Sequence, residues 1–489
     1  MQLNQSQKNT VPLQVLKNIV KFSIVLEMIV LVSCSPRKSE TLSEPPNIIY
    51  IFVDQLSANM MSCAGNQWLE TPAMDYIAAN GIRFTRAYAT NPVCSPARVS
   101  LMTGRFPGYF KDADGKEVRE NRGSMKIPQV SQTVLQTSLP AYLNKANYDL
   151  YFGGKEHLPE SLTPSALGFV DFSDDERGEL TAEAAKIIKA KHDQPYFMVL
   201  SLIEPHDICY LALRQMATSE NDAKILKRAT VELTTLDSAM KIPEGIDTAT
   251  FFQSYAPPLP PNYEPQLEEP QAVKKLVELR PFRKNARENF TDNEWRYHRY
   301  AYHRLTEFLD VRIQTILDAV KQSGAEENTL LIFSSDHGDM SASHRMEHKS
   351  TLYEESVNIP FMAMWKGHIP AGIVDEESLI SNGLDLLPTV CDYAGIQGVS
   401  DPRGRSLRPL FEGKKVDWRA TLGVESEIGK MVVHKDGLKY IRYDAAGLEE
   451  QLLNLKEDPF ETTHFTNDPK YQQQLKNLRL LYQQEWFKD

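Results

Sequence analysis

Several short, continuous apolar runs recur along this chain. The first, Asn47–Val53, reads Asn-Ile-Ile-Tyr-Ile-Phe-Val and stops at Asp54. Similar runs occupy Leu150–Phe152, Tyr196–Leu202 and Thr329–Phe333. Runs of this kind are typical of strands that are buried on both faces of a parallel sheet. The sequence therefore predicts a buried central sheet.

Helical signals lie between these runs. Thr71 as N-cap, Pro72 as the first helical residue and Gly81 as a stop predict one helix. The segment Trp295–Val320 carries a long amphipathic pattern that ends near Gly324. Strands that alternate with helices predict an α/β fold with a largely parallel central sheet flanked by helices.

One reactive residue follows the end of each predicted strand. These residues are Asp54, Lys155, His206 and Asp336. Ligands of open parallel sheets bind beyond the carboxyl ends of the strands. We therefore expect the four side chains to meet at one site.

The C-terminal part of the chain follows a different pattern. Lys430–Val433 and Leu438–Tyr443 predict an antiparallel hairpin, and Tyr471–Phe487 predicts a closing helix. We therefore expect a catalytic domain over residues 46–415 and a smaller α+β subdomain, with an antiparallel sheet, over residues 416–489.

The segment Ile208–Asn289 lacks clear strand periodicity. It contains the run Ala-Pro-Pro-Leu-Pro-Pro at Ala256–Pro261. Clustered prolines are typical of irregular connections. The segment is expected to be an extended, loop-rich insertion near the site.

The N-terminus is typical of an export signal. Two lysines precede the apolar stretch Phe22–Val32. Its last two residues begin the sequence Leu-Val-Ser-Cys, which ends at Cys34. This ending resembles a bacterial lipobox, so residues 1–33 are predicted to be a lipoprotein signal peptide and residues 34–45 a tether. The protein would then be anchored to a membrane only by lipid on Cys34, in the periplasm or at the outer membrane or cell surface. An ordinary cleaved secretion signal is the alternative.

The charge and the cysteine content exclude some classes of protein. A net charge of −11 disfavours nucleic-acid binding, so an anionic substrate must be attracted by a local basic cluster. Cys63, Cys209 and Cys391 are too few and too scattered for a disulfide framework. They are expected to be small buried residues, and a single disulfide among them stays open.

A nucleophile motif begins at Cys94. The sequence Cys-Ser-Pro-Ala-Arg is followed by Thr103-Gly104-Arg105, and Pro96 suits the first turn of a helix. The motif resembles the signature of type I sulfatases in the alkaline phosphatase superfamily, in which this cysteine is oxidised to formylglycine. The resemblance, from about Pro46 to the C-terminus, implies a sulfuric ester hydrolase, a formylglycine-generating maturation enzyme as a partner and a sulfated saccharide such as a glycosaminoglycan or mucin fragment as substrate.

The same resemblance implies a metal site. Asp336 and His337 begin an Asp-His-Gly motif after the last predicted strand, and Asp54 with Gln55 matches a segment in which the family usually has two aspartates. Together with Cys94 these residues are expected to bind calcium, with magnesium as the alternative. Calcium prefers oxygen ligands, so the imidazole of His337 is the poorest match in this set.

The catalytic roles also follow from the resemblance. Lys155 and Lys349 would hold the sulfate oxygens, and Arg98 would stabilise the modified cysteine. His206 would protonate the leaving oxygen, and His157 would remove a proton from the modified residue as sulfate departs.

Four side chains form the expected substrate-binding set: Lys155, His206, His344 and Lys349. Among the other histidines near the motif, His348 stands where the family usually has glycine, which predicts a narrower pocket.

Two other functions remain open at this stage. A related phosphonate or phosphate diester hydrolase would share the modified cysteine and the metal. A surface glycan-binding lipoprotein would leave Cys94 unoxidised.

Overall fold

The computed structural model describes residues 44–120, 124–127, 129–399, 403–447 and 449–487. The predicted signal peptide, the lipidation site at Cys34 and nearly all of the tether lie outside these residues. Pro46–Asp489 forms one compact unit. The boundary proposed between residues 415 and 416 stays a prediction.

Strands of three sheets make up the β-structure of this unit. The strands are β1 (Asn47–Asp54), β2 (Ile82–Phe84), β3 (Ala87–Tyr88), β4 (Asp149–Gly154), β5 (Val170–Ser173), β6 (Tyr196–Pro205), β7 (Thr329–Ser335), β8 (Phe361–Met364), β9 (Ile373–Asp375), β10 (Ile380–Ser381), β11 (Thr421–Ser426), β12 (Gly429–His434), β13 (Leu438–Tyr443) and β14 (Glu450–Asn454).

Eight strands form the central sheet, in the order β5-β4-β6-β1-β7-β8-β2-β9. β1 lies between β6 and β7 and is parallel to both, so that Ile49 pairs with Met198 on one side and Leu331 on the other. Only β8 runs antiparallel to its neighbours β7 and β2. The predicted largely parallel sheet is confirmed, and its central strands are fully buried as their continuous apolar runs require.

Helices cover the sheet and connect its strands. They are α1 (Pro72–Ala79), α2 (Cys94–Thr103), α3 (Gln132–Gln136), α4 (Leu139–Lys145), α5 (Gly178–Lys189), α6 (Cys209–Met216), α7 (Glu220–Arg228), α8 (Thr230–Ala239), α9 (Thr248–Ser254), α10 (Gln271–Glu278), α11 (Pro281–Asn289), α12 (Asp292–Ser323), α13 (Glu354–Val357), α14 (Asn382–Tyr393), α15 (Arg408–Phe411) and α16 (Gln472–Trp486).

The long helix α12 has clear local causes at both ends. Thr291 and Glu294 form a capping box at its start, and Gly324 adopts a left-handed conformation at its end. Its apolar face, with Leu305 and Ile313, packs in the same core as Leu200 of β6. The predicted helix is confirmed and extends three residues further at each end.

Gly81 does not act as the predicted helix stop. Helix α1 ends at Ala79, and Asn80 caps it through a backbone bond to Tyr76. A Cβ on Gly81 would lie 2.0 Å from the carbonyl oxygen of Ala363 in β8. Glycine is therefore needed here for the close approach of two backbones, not for helix termination.

The prediction of a loop-rich insertion over Ile208–Asn289 is wrong. Helices α6 to α11 fill most of this segment. In α10, for example, Ala272, Val273, Leu276 and Val277 are buried on one face. Each helix is only about two turns long, so the helical period was too brief to stand out from the prolines that separate the helices.

The C-terminal sheet has the antiparallel order β11-β12-β13-β14. Leu475 and Leu478 of α16 pack against Val432 and Tyr440 of this sheet. The predicted hairpin and closing helix are confirmed. Among the described residues, none of the helices combines the length and the apolar character needed to cross a bilayer.

Candidate active site

The ends of four parallel strands bring the predicted residues together at one edge of the sheet. Asp54 is the last residue of β1, and Lys155, His206 and Asp336 directly follow β4, β6 and β7. Nζ of Lys155 lies 2.6 Å from Oδ2 of Asp54. The strand ends converge as predicted: ligand atoms of Asp54 and Asp336 lie within 4.8 Å of each other, and the charges of Lys155 and Asp54 shift the pKa of His206.

Cys94 is the first residue of α2 and is almost fully buried. Its Sγ lies 2.8 Å from Nζ of Lys349, 3.2 Å from Nε2 of His337 and 3.6 Å from Oδ1 of Asp54. The helix N-terminus adds its positive dipole end at the same place. Lys349, His337 and the helix N-terminus stabilise negative charge on a nucleophile at this position, whereas the carboxylate of Asp54 does not.

The thiol of Cys94 is strongly acidified by these neighbours. Burial and the carboxylate of Asp54 oppose its ionisation, but Lys349, Lys155 and His337 outweigh them and hold its pKa well below the usual range. Structural buried cysteines show the opposite shift, as Cys391 does, where burial raises the pKa to about 12.

Arg98 bridges the two acidic residues of the site. Its Nη2 donates to Oδ2 of Asp54 at 3.2 Å and to Oδ2 of Asp336 at 3.0 Å. Its Nη1 donates to Oγ of Ser201 at 2.6 Å and to the carbonyl oxygen of Lys155 at 2.8 Å. A buried guanidinium with this many acceptors is fixed in place, so Arg98 holds both carboxylates and the start of the Lys155 loop.

Four of the predicted metal ligands form one cluster. Ligand atoms of Asp54, Cys94, Asp336 and His337 all lie within 4.8 Å of one another. Burial and the neighbouring charge of Asp54 raise the pKa of Asp336 to about 6. Nδ1 of His337 lies 2.9 Å from the carbonyl oxygen of Gly338 and donates to it, which directs Nε2 at the cluster.

Gln55 occupies a different place from the other proposed ligands. Its Oε1 accepts from Nζ of Lys349 at 3.0 Å and from Sγ of Cys209 at 3.1 Å, and its Nε2 donates to Asp339 at 2.6 Å. Its backbone N–H donates to Oδ1 of Asp336 at 3.1 Å. Gln55 therefore positions Lys349 and Asp336, whereas its role as a metal ligand stays a prediction.

The sequence did not single out three residues of this region. Asp339 fixes the Gln55 amide, Ser201 fixes Arg98, and Cys209 contacts both Gln55 and His348. Only Asp339 had a local signal, because it closes the Asp-His-Gly-Asp motif. Contacts of the other two depend on the packing of β6 and α6 and leave no mark in their own sequence.

His206 begins a short 3-10 helix after β6, and His157 lies in the loop that follows β4. Burial, together with the positive charge of Lys155, lowers the pKa of His206 well below its usual range. His157 follows Lys155 by two residues, is partly exposed and has a left-handed backbone with φ of 47°. Their proton-transfer roles stay predictions.

Two further histidines lie near Lys349. His344 is buried, with its ring centroid 4.5 Å from that of Tyr353 and its backbone N–H donating to Asn262. These contacts tie it to the protein interior and not to the cluster around Cys94, so its substrate role stays a prediction. His348 has a left-handed φ of 80° and its Nδ1 lies 2.8 Å from Sγ of Cys209.

Comparisons with known proteins agree with this arrangement. The family model for sulfatases matches residues 46–396, and that for the C-terminal region of N-sulphoglucosamine sulphohydrolase matches residues 342–485. A delta 4,5-hexuronate-2-O-sulfatase of Bacteroides thetaiotaomicron is 25% identical over 463 residues, which cover 90% of this chain and 88% of that protein.

Solved structures show the same fold. A 2-O GAG sulfatase superposes with a TM-score of 0.74 at 24% identity, over 90% of this chain and 92% of that one. A phosphonate monoester hydrolase of Agrobacterium radiobacter superposes with a TM-score of 0.63 at 20% identity, over 89% and 96% of the two chains. With the sulfatase model covering most of the chain and the motif residues assembled at one sheet edge, the chain belongs to the sulfatase family, the alkaline-phosphatase-like sulfuric ester hydrolases.

Proposed function

We propose that this sulfatase removes sulfate esters from saccharides, using a formylglycine made from Cys94 and a bound calcium ion. The observation that carries the proposal is the set of contacts at Cys94: a buried side chain at a helix N-terminus, 2.8 Å from Nζ of Lys349, beside the carboxylate of Asp54. This set combines a nucleophile, a cation for sulfate and a ligand for a metal.

The residues present fit a divalent cation. Asp54 and Asp336 supply hard carboxylate oxygens, and Nε2 of His337 lies 3.7 Å from one and 3.4 Å from the other. The carboxylates favour calcium, and magnesium is the alternative. When bound, the metal would polarise a sulfate oxygen and lower the pKa of a hydroxyl on residue 94.

The hydrated aldehyde of formylglycine would supply a hydroxyl nucleophile that the cysteine thiol lacks. Binding of the sulfate and transfer of protons would depend on unmodified side chains. Lys155 and Lys349 both lie within 4 Å of Asp54, and Arg98 also contacts it. The positive charge of the two lysines is larger than the single negative charge of the Asp54 carboxylate. Their ammonium groups are therefore available to neutralise the oxygens of a sulfate.

Proton transfer would be divided between two histidines. His206, in its protonated imidazolium form, would donate the proton that the leaving alcohol oxygen needs, and His157 would accept a proton from the hydroxyl of residue 94. A sugar alcohol is a poor leaving group, so the acid is the more demanding of the two roles.

The proposed substrates are sulfated saccharides of glycosaminoglycan or mucin type. The relative named above acts, by its name, on a sulfated hexuronate, and the structural neighbour is a GAG sulfatase. We further propose that the protein is exported as a lipoprotein anchored through Cys34, as its N-terminal sequence indicates. Loss of lipid labelling in Cys34→Ser would support the anchor, and unchanged labelling would exclude it.

Two measurements test the reaction itself. Mass spectrometry of the Cys94 peptide should show a species about 18 Da lighter than the cysteine form. A panel of defined sulfated saccharides should then give sulfate release by the matured protein. An unmodified thiol in every preparation would favour mere glycan binding, and turnover of an aryl phosphonate far above any sulfate ester would favour the phosphonate or phosphate diester hydrolase alternative.

Metal analysis completes the test. The purified protein should contain about one calcium or magnesium ion per chain, and Asp336→Ala should lose it. Purified active protein without a divalent ion would contradict the metal site.

A further inference from the structure

His206 lacks the hydrogen bond that normally orients a catalytic imidazole. Its Nδ1 is buried, yet it has no hydrogen-bond partner among the residues that the structure describes. Its ring centroid lies 6.3 Å from that of Tyr210, at the distance of an edge contact. In most catalytic histidines one ring nitrogen is held by a carboxylate or carbonyl group while the other faces the substrate. Here the position of the ring must depend on the backbone that carries it.

One cation, Arg177 at the start of α5, holds the residue that directly follows His206. Glu204 and Asp207 flank Pro205 and His206, and of these two carboxylates only that of Asp207 accepts hydrogen bonds from Arg177. Nη2 of Arg177 donates to the two oxygens of Asp207 at 2.8 and 2.9 Å. Nε of Arg177 lies 3.9 Å from Oε1 of Glu204.

The contact between Arg177 and Asp207 is bidentate and shielded from solvent, which makes it strong. The side chains of Glu204 and Asp207 have no exposed surface, and that of Arg177 is 12% exposed. The neighbouring backbone is joined as well, because Ile203 donates its N–H to the carbonyl oxygen of Glu176 at 3.1 Å. The end of β6 is therefore locked to the start of α5 on each side of His206.

We infer that Arg177 is a positioning residue for the sulfatase reaction: by holding Asp207, it sets the place of the His206 imidazole relative to the leaving oxygen. The inference rests on the proposed role of His206 as the acid. A displacement of a reacting group by about 1 Å can lower the rate by about 100-fold. Contacts that fix the backbone at His206 can therefore have a large effect on turnover.

The test compares two leaving groups in the matured full-length protein. A sulfated disaccharide that the wild type hydrolyses expels a basic sugar alkoxide, which needs the acid. 4-Nitrophenyl sulfate expels a stable phenolate, which hardly needs it. Arg177→Gln should lower kcat for the disaccharide by about 30-fold or more with KM nearly unchanged, and lower kcat for the aryl sulfate by less than about 3-fold.

Three further variants separate positioning from mere folding. His206→Ala should show the same dependence on the leaving group. Arg177→Lys keeps the charge and should recover part of the disaccharide rate. Arg312→Gln is the matched control, because Arg312 contacts Glu204 at 3.7 Å but not Asp207, and it should stay within about 2-fold of wild type.

Equal losses on both substrates in Arg177→Gln would overturn the inference, since damaged folding does not distinguish leaving groups. An unchanged disaccharide rate would overturn it too, as would an equal loss in Arg312→Gln. A wild type inactive on both sulfate esters would instead contradict the proposed function.

Discussion

Two buried clusters of charged side chains in this molecule contain the same kinds of group but differ in their expected roles. The reaction centre contains Asp54 in contact with Arg98, Lys155 and Lys349. Near the C-terminal sheet, Lys439 lies 2.9 Å from Glu354 and 2.7 Å from Glu461. We call this second group the Lys439 cluster. Both clusters lie in the interior, where an unpaired charge is expensive.

The clusters differ in the sign of their excess charge and in how completely their charged groups are paired with one another. In the Lys439 cluster one ammonium serves two carboxylates, and Glu461 also accepts the backbone N–H of Glu354 at 2.6 Å. The reaction centre instead gathers three cations around Asp54 and Asp336. Buried cations in excess can bind an anionic substrate. In the Lys439 cluster the carboxylates are already paired with the ammonium group, so the cluster stabilises only the fold. The first cluster is therefore expected to control turnover and the second to control stability.

The largest expected effect is that of Cys94→Ser. In a host whose maturation enzyme requires cysteine, the serine cannot become an aldehyde, so kcat should fall by at least about 10⁴-fold. Steady-state sulfate release measures this. Cys63→Ser, a change at a partly exposed cysteine, should retain wild-type turnover. Multiple turnover near the wild-type rate by Cys94→Ser would refute the formylglycine mechanism.

Lys349→Ala should have the next largest effect. Removal of an ammonium group 2.8 Å from Sγ of Cys94 leaves developing negative charge on the sulfate without a partner, so kcat/KM should fall by about 10²- to 10³-fold. Lys191→Ala, at an exposed lysine, serves as the control. Unchanged kinetics for Lys349→Ala would remove that residue from the reaction centre and weaken the contrast between the clusters.

Lys439→Met should affect stability and leave chemistry intact. Breaking a buried ion pair leaves its acidic partners uncompensated and costs about 3–5 kcal/mol of unfolding free energy. Denaturant titration measures the loss. The exposed pair of Lys470 with Glu457 offers a matched control, since Lys470→Met should give no measurable change. A large fall in kcat of the folded Lys439→Met protein would show that the two clusters are not separate in function.

The smallest expected effect concerns pH and a carboxyl group of β11. Burial raises the pKa of Glu425 to about 7, above its unfolded value of about 4.3. The folded state therefore holds the proton more tightly, and its stabilising contribution is complete below about pH 4.3 and is lost as pH rises through about 7. Wild-type stability should decline between pH 5 and pH 8 by up to about 3 kcal/mol from this group.

Glu425→Gln should flatten that decline, because the amide oxygen can still accept the N–H of Gly108 and carries no charge at any pH. Urea midpoints at pH 5 and pH 8 give the comparison. The same slope in wild type and variant would assign the pH dependence to other groups.

The positions of Asp54, Lys155, His206 and Asp336 could be predicted from sequence because each lies at or just past the end of a strand. Asp54 ends an apolar run, and Asp336 ends another, so their common edge follows from parallel pairing alone. The helices α6 to α11 could not be predicted in the same way. Each is short, and its helical state depends on packing against α12 and its neighbours more than on its own propensity.

The supporting contacts were also beyond sequence reasoning. Gln55 is predicted from sequence as a metal ligand, and the structure adds that its side chain lies between Lys349 and Asp339. The bridge from Arg177 to Asp207 joins residues thirty positions apart and has no local signature. Side-chain partners of this kind are chosen by distances across the folded chain, which local composition does not encode.

The sequence by itself determined the α/β architecture, the motif at Cys94 and the order of the strand-end residues, because apolar periodicity and motif residues are local properties. Only the tertiary structure decided which cations face Asp54, which contacts adjoin His206 and which buried charges are paired in the Lys439 cluster. Electrostatic energy and hydrogen bonding depend on separations of a few ångströms between residues far apart in the chain, and those separations exist only after folding.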